Sequence, residues 1–169
     1  MSKIAEETFS GCTDLKVVSL PSGVDEIQSS AFKGCKNLNT VNIKSGVSCI
    51  GESAFEDCTS LMKITIGNDA NILESNVFNN CSSLILVDKL NQDDASHPFN
   101  MVGDRAFNGT NLSRVNLSLR SSSIYSFWGD YCFANCHSLV EANILSSCYM
   151  SNHMFANCEN LSKVNFLNN

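Results

Sequence analysis

Residues 31–43 read AFKGCKNLNTVNI, and the same frame returns at 54–66 as AFEDCTSLMKITI and, one residue shorter, at 106–117 as AFNGTNLSRVNL. Seven phenylalanines open such a copy: Phe9, Phe32, Phe55, Phe78, Phe107, Phe133 and Phe155, at intervals of 23, 23, 23, 29, 26 and 22 residues. A unit of this length cannot bury its apolar side alone, whereas stacked copies can. The period therefore predicts one domain over 1–169: an α/β repeat solenoid of about seven coils, with a parallel sheet on one face and short helical or 3-10 turns on the other.

Each column of the repeat carries its own physical demand. Three residues after the phenylalanine stands Cys12, Cys35, Cys58, Cys81, Thr110, Cys136 or Cys158. A leucine follows, then an apolar pair spaced by two, as in Val41 and Ile43 or Ile64 and Ile66. Alternation of this kind in a β-branched stretch predicts a short strand buried on one side. The fourth copy breaks it, with Lys89 where the second apolar residue belongs. Five residues before the phenylalanine the chain places Ile4, Ile27, Ile50, Leu73, Val102, Trp128 or Met150. Offsets of −5, −1, 0 and +3 fit one side of a short helical turn. At +2 stands Gly11, Gly34, Asp57, Asn80, Gly109, Asn135 or Asn157, residue types that tolerate φ > 0 and would close that turn.

The run A-F-x-x-C-x-[SN]-L-x-x-V-x-[IL], as in SAFKGCKNLNTVNI, resembles the BspA-like subclass of leucine-rich repeats over essentially the whole chain. The resemblance implies a leucine-rich-repeat solenoid. It also implies a non-enzymatic binding protein of the cell surface or secreted space, with adhesion to host proteins or other cells as the role; it transfers no catalytic residue. Gly23, Gly46 and Asp69 stand where the general consensus has its asparagine, so the usual asparagine ladder is not expected there.

Other classes find little support. Net charge is −6 without a Lys/Arg cluster, which argues against nucleic acid and against a polybasic membrane patch. There is no run of 18 apolar residues, so no membrane insertion is expected, and no leader is visible at the start. Parallel side chains on coils about 4.8 Å apart point the same way, so the cysteine column is expected to be a ladder of buried free thiols rather than disulfides. Cys49, Cys132 and Cys148 lie outside that column, and one of them is a candidate exposed thiol. Cys132, Cys136, His137, Cys148, His153 and Cys158 crowd the last two copies, yet the repeat sends them to different sides, so no metal site is expected. The repeat places no histidine beside a nucleophile, so neither an enzyme nor a cofactor is expected.

Function is then sought where the pattern faces out or breaks. Outward strand positions carry Lys63, Arg114, Glu141 and Lys163, beside a polar column containing Asn42, Asn116, Asn143 and Asn165. Such a face suits a protein or glycan ligand; the bland alternative is solvated strand residues, with Asn116, Asn143 and Asn165 bonded along the stack. Two insertions, DKLNQDDASHPFN at 88–100 and SLRSSSIYSF at 118–127, are expected side by side on one rim, with Asp93, Asp94, His97, Arg120 and Tyr125 as contact candidates. The last strand, VNFLNN, leaves apolar residues uncovered, so an end-to-end homodimer or continuation into a longer array is expected. An intracellular interaction scaffold is the alternative reading, since buried reduced thiols suit the cytosol.

Overall fold

The computed structural model describes residues 2–43, 46–91, 99–118, 126–144 and 149–167. The chain is a parallel solenoid in which each coil contributes two short strands. The first sheet, here the back sheet, runs β1 (Ser2–Ile4), β3 (Val24–Ile27), β5 (Cys49–Ile50), β7 (Ile72–Leu73), β9 (Met101–Val102) and β11 (Phe127–Trp128) in that order. The front sheet is β2 (Val17–Ser19), β4 (Thr40–Ile43), β6 (Lys63–Ile66) and β8 (Leu86–Val87), followed by a separate three-stranded piece, β10 (Arg114–Leu117), β12 (Glu141–Ile144) and β13 (Lys163–Phe166). Seven phenylalanine-opened segments thus close about six full turns, as six rungs of back sheet show.

Alternation in the front strands does what the sequence requires of it. Val41 and Ile43 are buried while Thr40 and Asn42 are exposed, and Ile64 and Ile66 repeat the pattern against Lys63. Register is strict, with Val41 opposite Ile64 and Asn116 opposite Asn143, so like columns stack on like.

The other face corrects the expectation of helical turns. The −5 residues Ile27, Ile50, Leu73, Val102 and Trp128 lie on back-sheet strands, and the stretch around each phenylalanine is a string of tight turns. Among the described residues the one helix is α1 (Asp88–Asn91). The cause is visible in the hydrogen bonds. In the second copy Ala31, Lys33 and Cys35 donate to the carbonyls of Gln28, Ser30 and Phe32, three residues back. The alternate residues Ser30, Phe32 and Gly34 donate instead to Glu52, Ala54 and Glu56 of the next coil, each at 2.8 Å. A helix would close all of these bonds within the coil; here every second N–H joins one coil to its neighbour. The geometry needs φ > 0 twice per coil. The +2 column supplies one site, with Gly34 at 69° and Asn80 at 59°, and the −2 column supplies the other, with Ser30 at 55° and Tyr131 at 58°.

Between these layers the seven phenylalanines form one continuous stack. Neighbouring rings from Phe9 to Phe155 lie 5.1–5.8 Å apart and 3–22° from parallel. Beside them, Cys35, Cys58 and Cys81 each donate an S–H to the phenylalanine carbonyl of the preceding coil, at 3.1–3.2 Å. Cys136 and Cys158 do the same. Thr110 departs from this, bonding the carbonyl of Phe107 in its own coil at 2.9 Å and lying 3.3 Å from Cys136 Sγ.

The fourth copy leaves the frame where Lys89 replaces an apolar residue. Asp88 Oδ1 accepts from the N–H groups of Ile66 and Lys89, and α1 begins where the strand would continue. Lys89 Nζ is buried among carbonyl oxygens, 2.7 Å from Ala70 O, and sits 4.5 Å from the centre of the Phe99 ring. Leu90 and Phe99, at the two ends of the insertion, fill the core instead. The front sheet is interrupted here, between β8 and β10.

Candidate functional site

On the three-stranded piece of the front sheet the outward residues stand opposite one another as Arg114, Glu141 and Lys163, then Asn116, Asn143 and Asn165. Lys163 Nζ lies 2.8 Å from Glu141 Oε1, and Arg114 Nε lies 3.8 Å from Oε2. Asn165 Nδ2 also donates to Glu141 Oε1, at 2.9 Å. Hydrogen bonding from Lys163 leads the effects that hold the Glu141 carboxyl below its ordinary range, despite some desolvation. The amides of Asn116, Asn143 and Asn165 stack with N–O separations of 2.8 and 2.6 Å. In the alternative orientation of its amide, Asn143 turns its oxygen to the charged row instead and accepts from Arg114 Nε and Nη2 at 3.0 and 3.1 Å.

This corrects part of the outward-facing expectation. Asn116 and Asn143 sit on the solvent side of the sheet but are buried there, at 4% and 2% exposure, so they hold the charged row in place rather than offer free amides. Asn42 and Lys63 are exposed on β4 and β6, away from that cluster. Asp93, Asp94, His97, Arg120 and Tyr125 lie outside the described residues. The structure therefore brings together Arg114, Glu141, Lys163, Asn116 and Asn143 of the sequence candidates.

Two features escaped the sequence reading. A polar ladder does run along the solenoid, but at the turns: Lys33 pairs with Glu56 at 2.8 Å, Asn79 donates to Glu56, Asn108 to Asn79, Asn135 to Asn108 and Asn157 to Asn135, at 2.7–2.9 Å. Its signal lies in the polar residues Lys33, Glu56, Asn79 and Asn108 one position after their phenylalanines, and in Asn135 and Asn157 at +2. The other is a stacked column at −2, where Arg105 lies 5.1 Å from the Tyr131 ring and Tyr131 stacks on His153 at 4.7 Å. His137, by contrast, faces Glu159 at 3.9 Å on an exposed turn, apart from His153. Among the described residues no group of three His, Cys, Asp or Glu is disposed to hold a metal ion. Cys49 is half-buried, and burial with Glu74 and Glu26 nearby pushes its thiol up to about 11; Cys132 is fully buried. Cys148 lies outside the described residues.

A rigid parallel solenoid with a charged, internally braced sheet face defines a repeat protein of the binding-module class. The BspA type leucine rich repeat region, in 6 copies, matches residues 2–126 and 87–169, and the chain belongs to that family. Its fold is similar to that of a leucine-rich repeat protein from Bacteroides ovatus (25% identity, TM-score 0.71, covering 88% of this chain and 39% of that one). It is equally similar to the leucine-rich repeat protein of T. pallidum (25% identity, TM-score 0.74, covering 90% of this chain and 70% of that one). A leucine rich cell surface protein from Faecalibacterium prausnitzii aligns with a TM-score of 0.48 at 20% identity. The chain thus spans well under half the length of the B. ovatus protein. Among curated proteins none matches the sequence. Leucine-rich repeats of this kind are typically protein-binding rather than enzymatic modules, and no described helix is long and apolar enough to cross a membrane.

Proposed function

We propose that the protein is a non-enzymatic, adhesin-like module of the cell surface that captures a protein or glycan ligand on the front sheet. The observation that carries this reading is the braced row Arg114–Glu141–Lys163 on a sheet whose register fixes all three backbones. Two cations around one carboxylate leave a net positive edge that suits a ligand carboxylate or hydroxyl. Because the side chains already hold one another, a ligand orders little on binding. Lys63, Asn42 and the rim residues Asp93, Asp94, His97, Arg120 and Tyr125 extend the proposed contact area. The test is capture by immobilised matrix proteins and a glycan array. Arg114→Gln with Lys163→Gln should abolish capture that the unaltered protein shows, with the far-UV circular dichroism of the folded chain kept; capture that survives removes this face.

The free thiols donating to buried carbonyls favour a second reading, an intracellular interaction scaffold in a reducing compartment. Biotinylation of intact cells separates the two, since a surface module is labelled without lysis and a scaffold is not.

A further inference from the structure

The back sheet has an outward face too, and its chemistry changes along the solenoid. One position before each buried −5 residue the chain reads Lys3, Glu26, Cys49, Ile72, Met101, Phe127 and Tyr149. The first two rungs are charged and paired, Lys3 with Glu26. From the fourth rung the column turns apolar: Ile72 stands opposite Met101 and Met101 opposite Phe127. Phe127 is 39% exposed and Tyr149 71%, so these rings lie in water rather than under the chain. At about 4.8 Å per rung the paired stripe from Ile72 to Phe127 runs on the order of 10 Å, and exposed Tyr149 holds the same repeat position in the following copy. The paired stripe alone holds about two turns of helix at about 5.4 Å each.

Carboxylates line the stripe. Glu52, Glu74 and Asp104 share a groove of about 420 Å³ with Ser75, Met101 and Phe127. Gly103, also on its lining, lets the coils approach here: a Cβ on it would lie 2.5 Å from the backbone nitrogen of Ser75. Glu52 and Asp104 are exposed, and Glu74 is half-buried. One oxygen of Glu74 accepts from the N–H of Glu52, and one of Asp104 from that of Asp130, which fixes both carboxylates beside the rings. Arg105, the cation nearest in sequence, is directed over the Tyr131 ring.

We infer that the outward face of the back sheet over Ile72, Met101 and Phe127, with Tyr149 of the following copy, is a second docking surface for a partner-protein segment with Lys or Arg side chains among aliphatic ones. The aliphatic groups cover the stripe, and the cations meet Glu52, Glu74 and Asp104 in the groove. A second copy of this chain, at net charge −6, and an anionic lipid surface both have the wrong sign.

Fluorescence anisotropy with two labelled amphipathic peptides tests this. Both carry the same leucine spacing; one has lysine and the other glutamate at the remaining positions. The lysine peptide should bind at least roughly tenfold more tightly, and less tightly as salt rises. Tyr149→Ser with Phe127→Ser should weaken it by about tenfold or more, as loss of aromatic anchors does. Glu52→Gln with Asp104→Asn, which keeps the acceptor for Asp130, should weaken it and remove most of the salt dependence. Lys63→Gln on the front sheet should leave it unchanged. Equal binding of the two peptides, no binding of the lysine peptide, or binding indifferent to the Tyr149, Phe127 and carboxylate variants overturns the inference. So does a concentration-dependent sedimentation coefficient that Tyr149→Ser abolishes, because the occupant would then be a second copy.

Discussion

Phe78→Ala probes the stack where the front sheet is interrupted. Phe78 is fully buried, with Phe55 at 5.6 Å on one side and Phe107 at 5.4 Å on the other. It stands where the front sheet is interrupted, and the fourth and fifth coils meet there through the two-residue pairing of β7 with β9, backbone bonds such as those from Asn76, Phe78, Asn80 and Asn111, the amide contact of Asn108 with Asn79, the packing of α1 on β10, and this ring contact. Truncating a buried phenylalanine costs about 3–5 kcal/mol, a figure that already contains the two ring pairs at about 0.5–1.5 kcal/mol each. Phe9→Ala is the control: that ring is 37% exposed and stacks only on Phe32 among the phenylalanines, so its loss should cost about 1–2 kcal/mol. Urea unfolding is followed by far-UV circular dichroism and by the fluorescence of Trp128, the single tryptophan, buried beyond the interruption. In a one-dimensional array, weakening one interface splits a cooperative transition. Phe78→Ala should therefore lower the midpoint and separate the two signals, while Phe9→Ala lowers the midpoint slightly with the signals coincident. A loss under about 1 kcal/mol for Phe78→Ala, set against the 3–5 kcal/mol expected, would refute the stack as a structural spine. Coincident signals in that variant would refute a joint at the interruption.

Thiol labelling and acid titration supply the other checks. Burial pushes the Cys58 thiol up from 9.0 to about 12, which lowers its thiolate fraction near pH 8 by about a thousandfold. With Cys81 raised further by full burial, peptide mapping of the native protein treated with a disulfide reagent should show Cys12, which is exposed, modified well before either; equal rates would sink the buried-thiol reading. The Glu56 carboxyl is desolvated, yet hydrogen bonds from Lys33, Asn79 and Ser53 outweigh that and hold it below 4.5. A depressed folded value means its stabilisation is present above the unfolded carboxylate range and is lost as pH falls through the folded value. The thermal midpoint should accordingly drop below about pH 4.5, less steeply in Glu56→Gln, and an identical acid limb in that variant would exclude the contribution.

Much of the fold was written in spacings. Register and burial of Val41, Ile43, Ile64 and Ile66 follow from alternation, because a strand has period two and one face must be dry. The left-handed +2 column followed from Gly34, Asp57 and Asn80, whose side chains tolerate that geometry. The −2 column did not, since Glu7, Arg105 and Tyr131 carry no such preference; bonds from their N–H groups to the next coil hold φ near 55°. Offsets of −5, −1, 0 and +3 were ambiguous for a related reason. A helical turn and a strand followed by tight turns bury the same positions, and they differ only in where the backbone N–H groups go, which no side chain records. At the site, Arg114, Glu141 and Lys163 were legible as outward residues. The burial of Asn116 and Asn143 was not, because it depends on three amides and a guanidinium covering one another across coils.

The two proposed binding faces differ in what binding would demand of the chain. On the front sheet the charged row is already paired, so a ligand must replace a 2.8 Å contact between Lys163 and Glu141 or build on the donors left over. Such a face discriminates by geometry more than by raw attraction. On the back sheet the rings of Phe127 and Tyr149 are open to water, and covering them releases apolar surface at about 25 cal/mol per Å². Affinity should therefore come chiefly from the back face and selectivity from the front. The backbone permits both at once, because the layer of stacked phenylalanines and turn-to-turn hydrogen bonds fixes each coil independently of Phe127 and Tyr149. Substitutions at Phe127 or Tyr149 are then expected to act on affinity alone, whereas Asn143, which braces the front row from within, should couple selectivity to stability.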